Sequence, residues 1–141
     1  MVRAMLIAVL ITIGLQGNAQ TESRITRYNY FFLEAIRQQE MGNLAAAFDL
    51  LNHARDINPK APEVYYEIAG YYVAMQNSKA ARYNFEQAAK LAPDNSTYLE
   101  KLGQFYISQN NYEDALTTYE QLYTSNKTRE DVLQILYQLY P

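Results

Sequence analysis

His53 is the only histidine in this 141-residue chain, and there is no cysteine. A usual zinc site draws three or four ligands from imidazoles and thiolates, so a lone His without Cys cannot build one. The missing thiols also remove a cysteine nucleophile and any disulfide. The acidic pair Glu113–Asp114 could in principle handle protons. It stands at the start of a helical pattern, where carboxylates complement the positive end of the helix dipole, and that is the simpler reading. The chain has no paired G-x-G for phosphate and no G-x-S-x-G nucleophile elbow. Asn95-Ser96-Thr97 and Asn126-Lys127-Thr128 match glycan acceptor triplets, but Asn and Thr are also ordinary turn residues. No catalytic residue, metal or cofactor is expected, and the chain does not read as an enzyme.

Composition moves the question from chemistry to surfaces. Hydrophobic residues make up 49%, enough for a core, and the length suits one domain. The net charge of −3 offers no basic stripe for nucleic acid. Tyrosine stands out, with 14 against 5 phenylalanines and no tryptophan. An apolar ring with a polar tip suits half-buried seams and binding faces.

The N-terminus reads as an address. Arg3 precedes an apolar run from Ala4 to Leu15, followed by the small residues Gly17 and Ala19. A charged start, a short apolar stretch and small residues form the pattern of a secretory signal peptide, with cleavage after Ala19. Twelve helical residues reach only about 18 Å, short of the roughly 30 Å hydrocarbon core. Met1 to Ala19 is therefore expected to be a signal peptide, and the mature chain to carry no membrane span. The short leader is similar to bacterial ones, which implies the periplasm, the cell surface or secretion.

After a polar lead from Gln20 to Arg27, the sequence repeats. Ile57, Pro59, Tyr65, Ile68, Ala69 and Tyr72 are matched 34 residues later by Leu91, Pro93, Leu99, Leu102, Gly103 and Tyr106. Three blocks follow, Tyr28 to Ala61, Pro62 to Asn95 and Ser96 to Arg129, with a partial fourth from Glu130 to Pro141. Each full block carries two apolar stripes of helical period, which predicts a helix hairpin. Polar breaks at Gly42–Asn43, Gln76–Ser78 and Gln109–Asn111 separate the two helices of each block. Ala69 and Gly103 stand where two helices approach closely, and Ala47, Ala81 and Ala115 face them from the second helices. Pro59 and Pro93 end one hairpin and turn the chain into the next.

These residues resemble the tetratricopeptide repeat, and the resemblance covers about Tyr28 to Pro141. It implies an all-α, right-handed superhelical solenoid of antiparallel helix pairs. Glu34 and Gln38 depart from the pattern where apolar residues are expected, as does Lys127 in place of a closing proline. The resemblance further implies that first helices line a concave groove for a protein or peptide. Carried over by position, that groove takes Asn29, Phe32, Leu33, Ile36 and Gln39 from the first block. The second block gives Glu63, Tyr66 and Glu67, with Gly70 and Val73. The third gives Glu100, Lys101 and Gln104, with Thr97, and the fourth gives Asp131, Gln134 and Ile135. Four carboxylates, Glu63, Glu67, Glu100 and Asp131, face one lysine. A clamp for a peptide's terminal carboxylate is not supported, and a partner with an apolar anchor and positive charge is expected.

The expected function is a protein–protein interaction scaffold outside the cytoplasm. Two alternatives are an N-terminal adaptor region of a longer enzyme or signalling protein, and a structural array that self-associates. The second draws on the apolar face of the last helix, with Leu133, Leu136, Tyr137 and Tyr140.

Overall fold

The computed structural model describes the backbone of residues 2–140 and the side chains of residues 17–140. The described residues form seven α-helices: α1 (Val2–Glu40), α2 (Leu44–Ile57), α3 (Pro62–Ala74), α4 (Ser78–Leu91), α5 (Ser96–Ser108), α6 (Tyr112–Ser125) and α7 (Glu130–Leu139). The chain is all-α and built as a helical repeat. The length suggested one domain, yet the helices form two compact units, Met1–Pro59 and Lys60–Pro141. A repeat touches mainly its neighbours, so such chains have no single central core.

In the first unit α1 and α2 form an antiparallel pair, with Ala35 of α1 and Ala47, Leu51 and Ala54 of α2 fully buried. Residues Gln20–Arg27 are helical and continuous with the repeat helix that follows. Met1 to Ala19, read as a leader, lies largely outside the described side chains. Among the described residues no helix is long and apolar enough to cross a membrane. Glu34 and Gln38, the two polar departures, join a hydrogen-bonded chain. Arg37 Nε donates to Glu34 Oε2 at 2.8 Å, Gln38 Nε2 to Glu34 Oε1 at 2.7 Å, and Asn43 Nδ2 to Gln38 Oε1 at 2.7 Å. Arg37 and then Gln38 hold the Glu34 carboxyl down at about 2.

In the second unit α3 packs on α4, α4 on α5, α5 on α6 and α6 on α7. Its core runs through the stack, from Ala69 and Phe85 through Leu99, Leu102 and Tyr119 to Val132 and Leu136. Fully burying each large side chain contributes about 1.5–3 kcal/mol. Helix starts have local causes. Pro62 supplies the first residue of α3, with its φ preset and no amide to satisfy. Asn77, Asn95 and Asn111 cap α4, α5 and α6 by accepting from the amides of Ala80, Tyr98 and Asp114.

The inner turns share one device. Gly42 at φ 81°, Gln76 at φ 58° and Asn110 at φ 58° occupy equivalent positions and all are left-handed. The chain must reverse within a few residues, and the left-handed residue lets an amide fold back onto the helix end. Asn77 N returns to Tyr72 O and Asn111 N to Tyr106 O, both at 2.9 Å.

Helix approach is set by the small residues. A Cβ built on Gly103 would lie 2.7 Å from Cε2 of Tyr119. The ring of α6 therefore rests directly on the backbone of α5, which is why that position must lack a side chain.

Candidate partner-binding face

On α3, Glu63, Tyr66 and Glu67 share one helix face by their i, i+3, i+4 spacing, and all three are half-buried. Tyr66 reaches α5, where its ring centre lies 5.0 Å from that of Tyr98. Its other neighbour is the buried Phe85, at 6.3 Å edge-on. Burial pushes the Tyr98 phenol up, and the negative charges of Glu63 and then Glu67 push it further. Tyr98 therefore stands in the field of both carboxylates. The sequence reading missed it because the matching position one repeat earlier is Val64, a fully buried core residue.

Further along α5, Lys101 and Gln104 are exposed and Glu100 is half-buried. Glu100 accepts from Arg129 Nη1 at 2.9 Å, and the same guanidinium pairs with Asp131. Arg129, absent from the expected groove, thus binds two of the four carboxylates assigned to it. Its own pKa is raised, first by Asp131 and then by Glu100. Asp131 is lowered, first by its bond to Arg129. Glu63 and Glu67 stand on α3 beside the Tyr66–Tyr98 ring pair. Val73, Thr97 and Gln134 are exposed and Ile135 is half-buried.

In the first unit, Phe32 and Ile36 are half-buried and Leu33 is 65% exposed. Phe32 stacks on Tyr28 at 5.8 Å, so it is steadied on its own helix. Phe31 meets the exposed His53 edge-on at 4.2 Å, which ties α1 to α2.

The other residues singled out for chemistry have structural roles. Asp114 accepts from Arg82 Nη2 at 2.8 Å and from Asn111 Nδ2 at 2.6 Å. Asn95 Oδ1 caps α5, and Asn126 Oδ1 accepts from Thr128 Oγ1 at 2.7 Å. Among the described residues, no group of three or more His, Cys, Asp or Glu is placed to hold a metal.

Residues 72–137 match a tetratricopeptide-repeat family profile. No curated protein matches the chain in sequence. Among solved structures it is similar to the first TPR of Spaghetti (RPAP3) bound to the HSP90 peptide SRMEEVD. That likeness has a TM-score of 0.66 and 15% identity, and covers 81% of this chain and 93% of the other. It is also similar to MamA, with a TM-score of 0.68 and 18% identity over 80% of this chain and 62% of MamA.

Proposed function

We propose that this chain, which carries tetratricopeptide repeats, is an interaction scaffold whose first-helix face takes a peptide with an apolar anchor and a basic residue. One observation carries the reading: the Tyr66–Tyr98 ring pair with Glu63 and Glu67 beside it on α3. Aromatic faces attract cations and bury apolar side chains, and carboxylates at their edge favour Lys or Arg. The Spaghetti domain binds SRMEEVD, a peptide with two glutamates and an aspartate. The carboxylates on α3 oppose such a ligand, so the likeness in fold supports a peptide partner of different charge. The fold alone does not specify a ligand, and the assignment rests on these residues.

The proposed setting is outside the cytoplasm, as a periplasmic, surface or secreted protein. The support is the charged start, short apolar run and small residues of Met1 to Ala19. N-terminal sequencing of the protein recovered from its native cell checks this, with Gln20 as the expected first residue.

An immobilised peptide set tests the binding reading. Peptides pairing an aromatic or aliphatic residue with Lys or Arg are expected to bind, and SRMEEVD is not. Glu67→Lys should weaken binding roughly tenfold or more, as expected for a lost charge-assisted contact. Binding of SRMEEVD that Glu67→Lys strengthens would overturn the assignment.

A further inference from the structure

Gly70 stands inside α3, one helical turn beyond Tyr66 and Glu67. After proline, glycine is the least favourable residue for a helix interior, so its presence there calls for a cause. Neither usual cause applies. Its φ is not left-handed, and a Cβ built on it would meet nothing within 4 Å. Gly103 is the contrast, since there the Tyr119 ring occupies the space that a Cβ would need. The repeat makes no demand for a small residue at this register either. The equivalents of Gly70 are Ile36 in the block before and Gln104 in the block after. Gly70 is exposed, and so is Val73, one turn further along the same face. Bare helix backbone is thus flanked by the Tyr66 ring, the Glu67 carboxylate and an apolar Val73 side chain.

We propose that Gly70 is the floor on which the apolar anchor of a bound peptide rests, and that its missing side chain sets the size of anchor the face accepts. This rests on the reading of the α3 face as a peptide site. A glycine lets a ligand come close to the backbone. A large aliphatic or aromatic side chain laid over Gly70 is bounded by Tyr66 on one side and Val73 on the other, so it gains contact at both edges. Glu67 shares that helix face, where a Lys or Arg next to the anchor meets opposite charge. The occupant is therefore a peptide segment in which a large apolar residue adjoins a basic one. A side chain grown from position 70 fills the floor and lifts a large anchor away, while a small anchor still fits beside it.

Fluorescence-anisotropy titrations of the full chain and of Gly70→Ala and Gly70→Leu test this. The probes are a labelled peptide with Phe beside Lys and its analogue with Val in place of the Phe. Gly70→Leu should weaken the Phe probe by about tenfold, the discrimination that a methylene or two gives in an apolar site. Gly70→Ala should weaken it less, and the Val probe should change little in either variant. Both variants should raise the urea midpoint, because Ala and Leu favour a helix more than Gly does, so lost binding would not reflect lost folding. If the Phe probe binds and Glu67→Lys weakens it, yet Gly70→Leu leaves it unchanged or weakens both probes alike, the floor assignment is overturned and the peptide reading stands. Failure of the unaltered chain to bind either probe overturns both.

Discussion

Tyr106 of α5 donates its phenol to Glu86 of α4 at 2.7 Å, and 34 residues later Tyr140 donates to Glu120 of α6 in the same way. The tyrosine of one repeat is thus anchored to the second helix of the repeat before it. At the first joint Arg82 reinforces the bond. Its Nε reaches Glu86 at 2.7 Å, and its guanidinium lies 5.1 Å from the centre of the Tyr106 ring. At the second joint the equivalent of Arg82 is Leu116, and the tyrosine–glutamate bond stands without that cation.

Tyr106→Phe keeps the ring and deletes the bond. It should destabilise the fold by about 1.5–3 kcal/mol, the range for a hydrogen bond to a charged group. Urea denaturation measures this, and a double-mutant cycle with Glu86→Gln should return a coupling of similar size.

Gly103→Ala brings a methyl against the buried Tyr119 ring. Helix propensity favours alanine by about 1 kcal/mol. The overpacking costs about 1–3 kcal/mol, and the net effect should be a loss. The second repeat holds Ala69 and Phe85 at the equivalent positions, so adding Tyr119→Phe should recover part of the stability. Thermal unfolding of the single and double variants compares them.

Gln76→Gly should stabilise the chain by about 0.5–1 kcal/mol, because glycine adopts the left-handed φ of 58° without a steric penalty. Asn110→Gly should gain less, since asparagine tolerates that region better than glutamine. A larger gain at Asn110 would show that φ is not the controlling factor.

Asn84 is 3% exposed, and its Oδ1 has no hydrogen-bond partner among the described residues, while its Nδ2 donates to Ala80 O. An orphaned buried acceptor costs about 1–3 kcal/mol. At the equivalent position Thr118 satisfies itself by donating to Asp114 O at 2.7 Å. Asn84→Thr should therefore raise the unfolding midpoint, by up to about 1 kcal/mol of stability.

Stability should fall at high pH. Burial raises the phenols of Tyr98, Tyr106 and Tyr119 above their ordinary value, with Glu63, Glu86 and Glu100 adding to the effect at the three rings respectively. A group raised in the fold contributes fully below its unfolded pKa and loses that contribution as pH rises through the folded one. Urea midpoints should therefore hold between roughly pH 7 and 9 and decline above about 10, where unfolded tyrosine ionises. In acid, the small contribution of Glu34 should persist above its ordinary value of 4.5 and fade toward about 2.

The repeat was legible because burial imposes a periodic demand. Leu99, Leu102 and Tyr119 are apolar where helices meet, and each recurs in register with the block before it. The left-handed turns were legible only at Gly42, since nothing in glutamine's chemistry announces a positive φ at Gln76. Register with Gly42 was the available signal. That Tyr66, Glu63 and Glu67 of the candidate face lie together was legible, since helical spacing places them on one side. Arg129 was not, because a long flexible side chain at a helix cap has no pattern that says where it reaches. Its two partners lie on α5 and α7, and only the stacked fold brings them within its span.

If the chain is cut after Ala19 as proposed, the unbroken course of α1 from Val2 to Glu40 makes that cut a matter of timing. A protease needs its target locally unwound, and the Ala19–Gln20 bond lies inside a helix. Removal of the leader would then compete with helix completion during synthesis and be slow afterwards. Cleavage would also leave a positive amine at a new helix start, which the helix dipole disfavours. The processed helix would fray back toward Tyr28, its first buried ring, and the length of ordered helix would record whether the cut had been made.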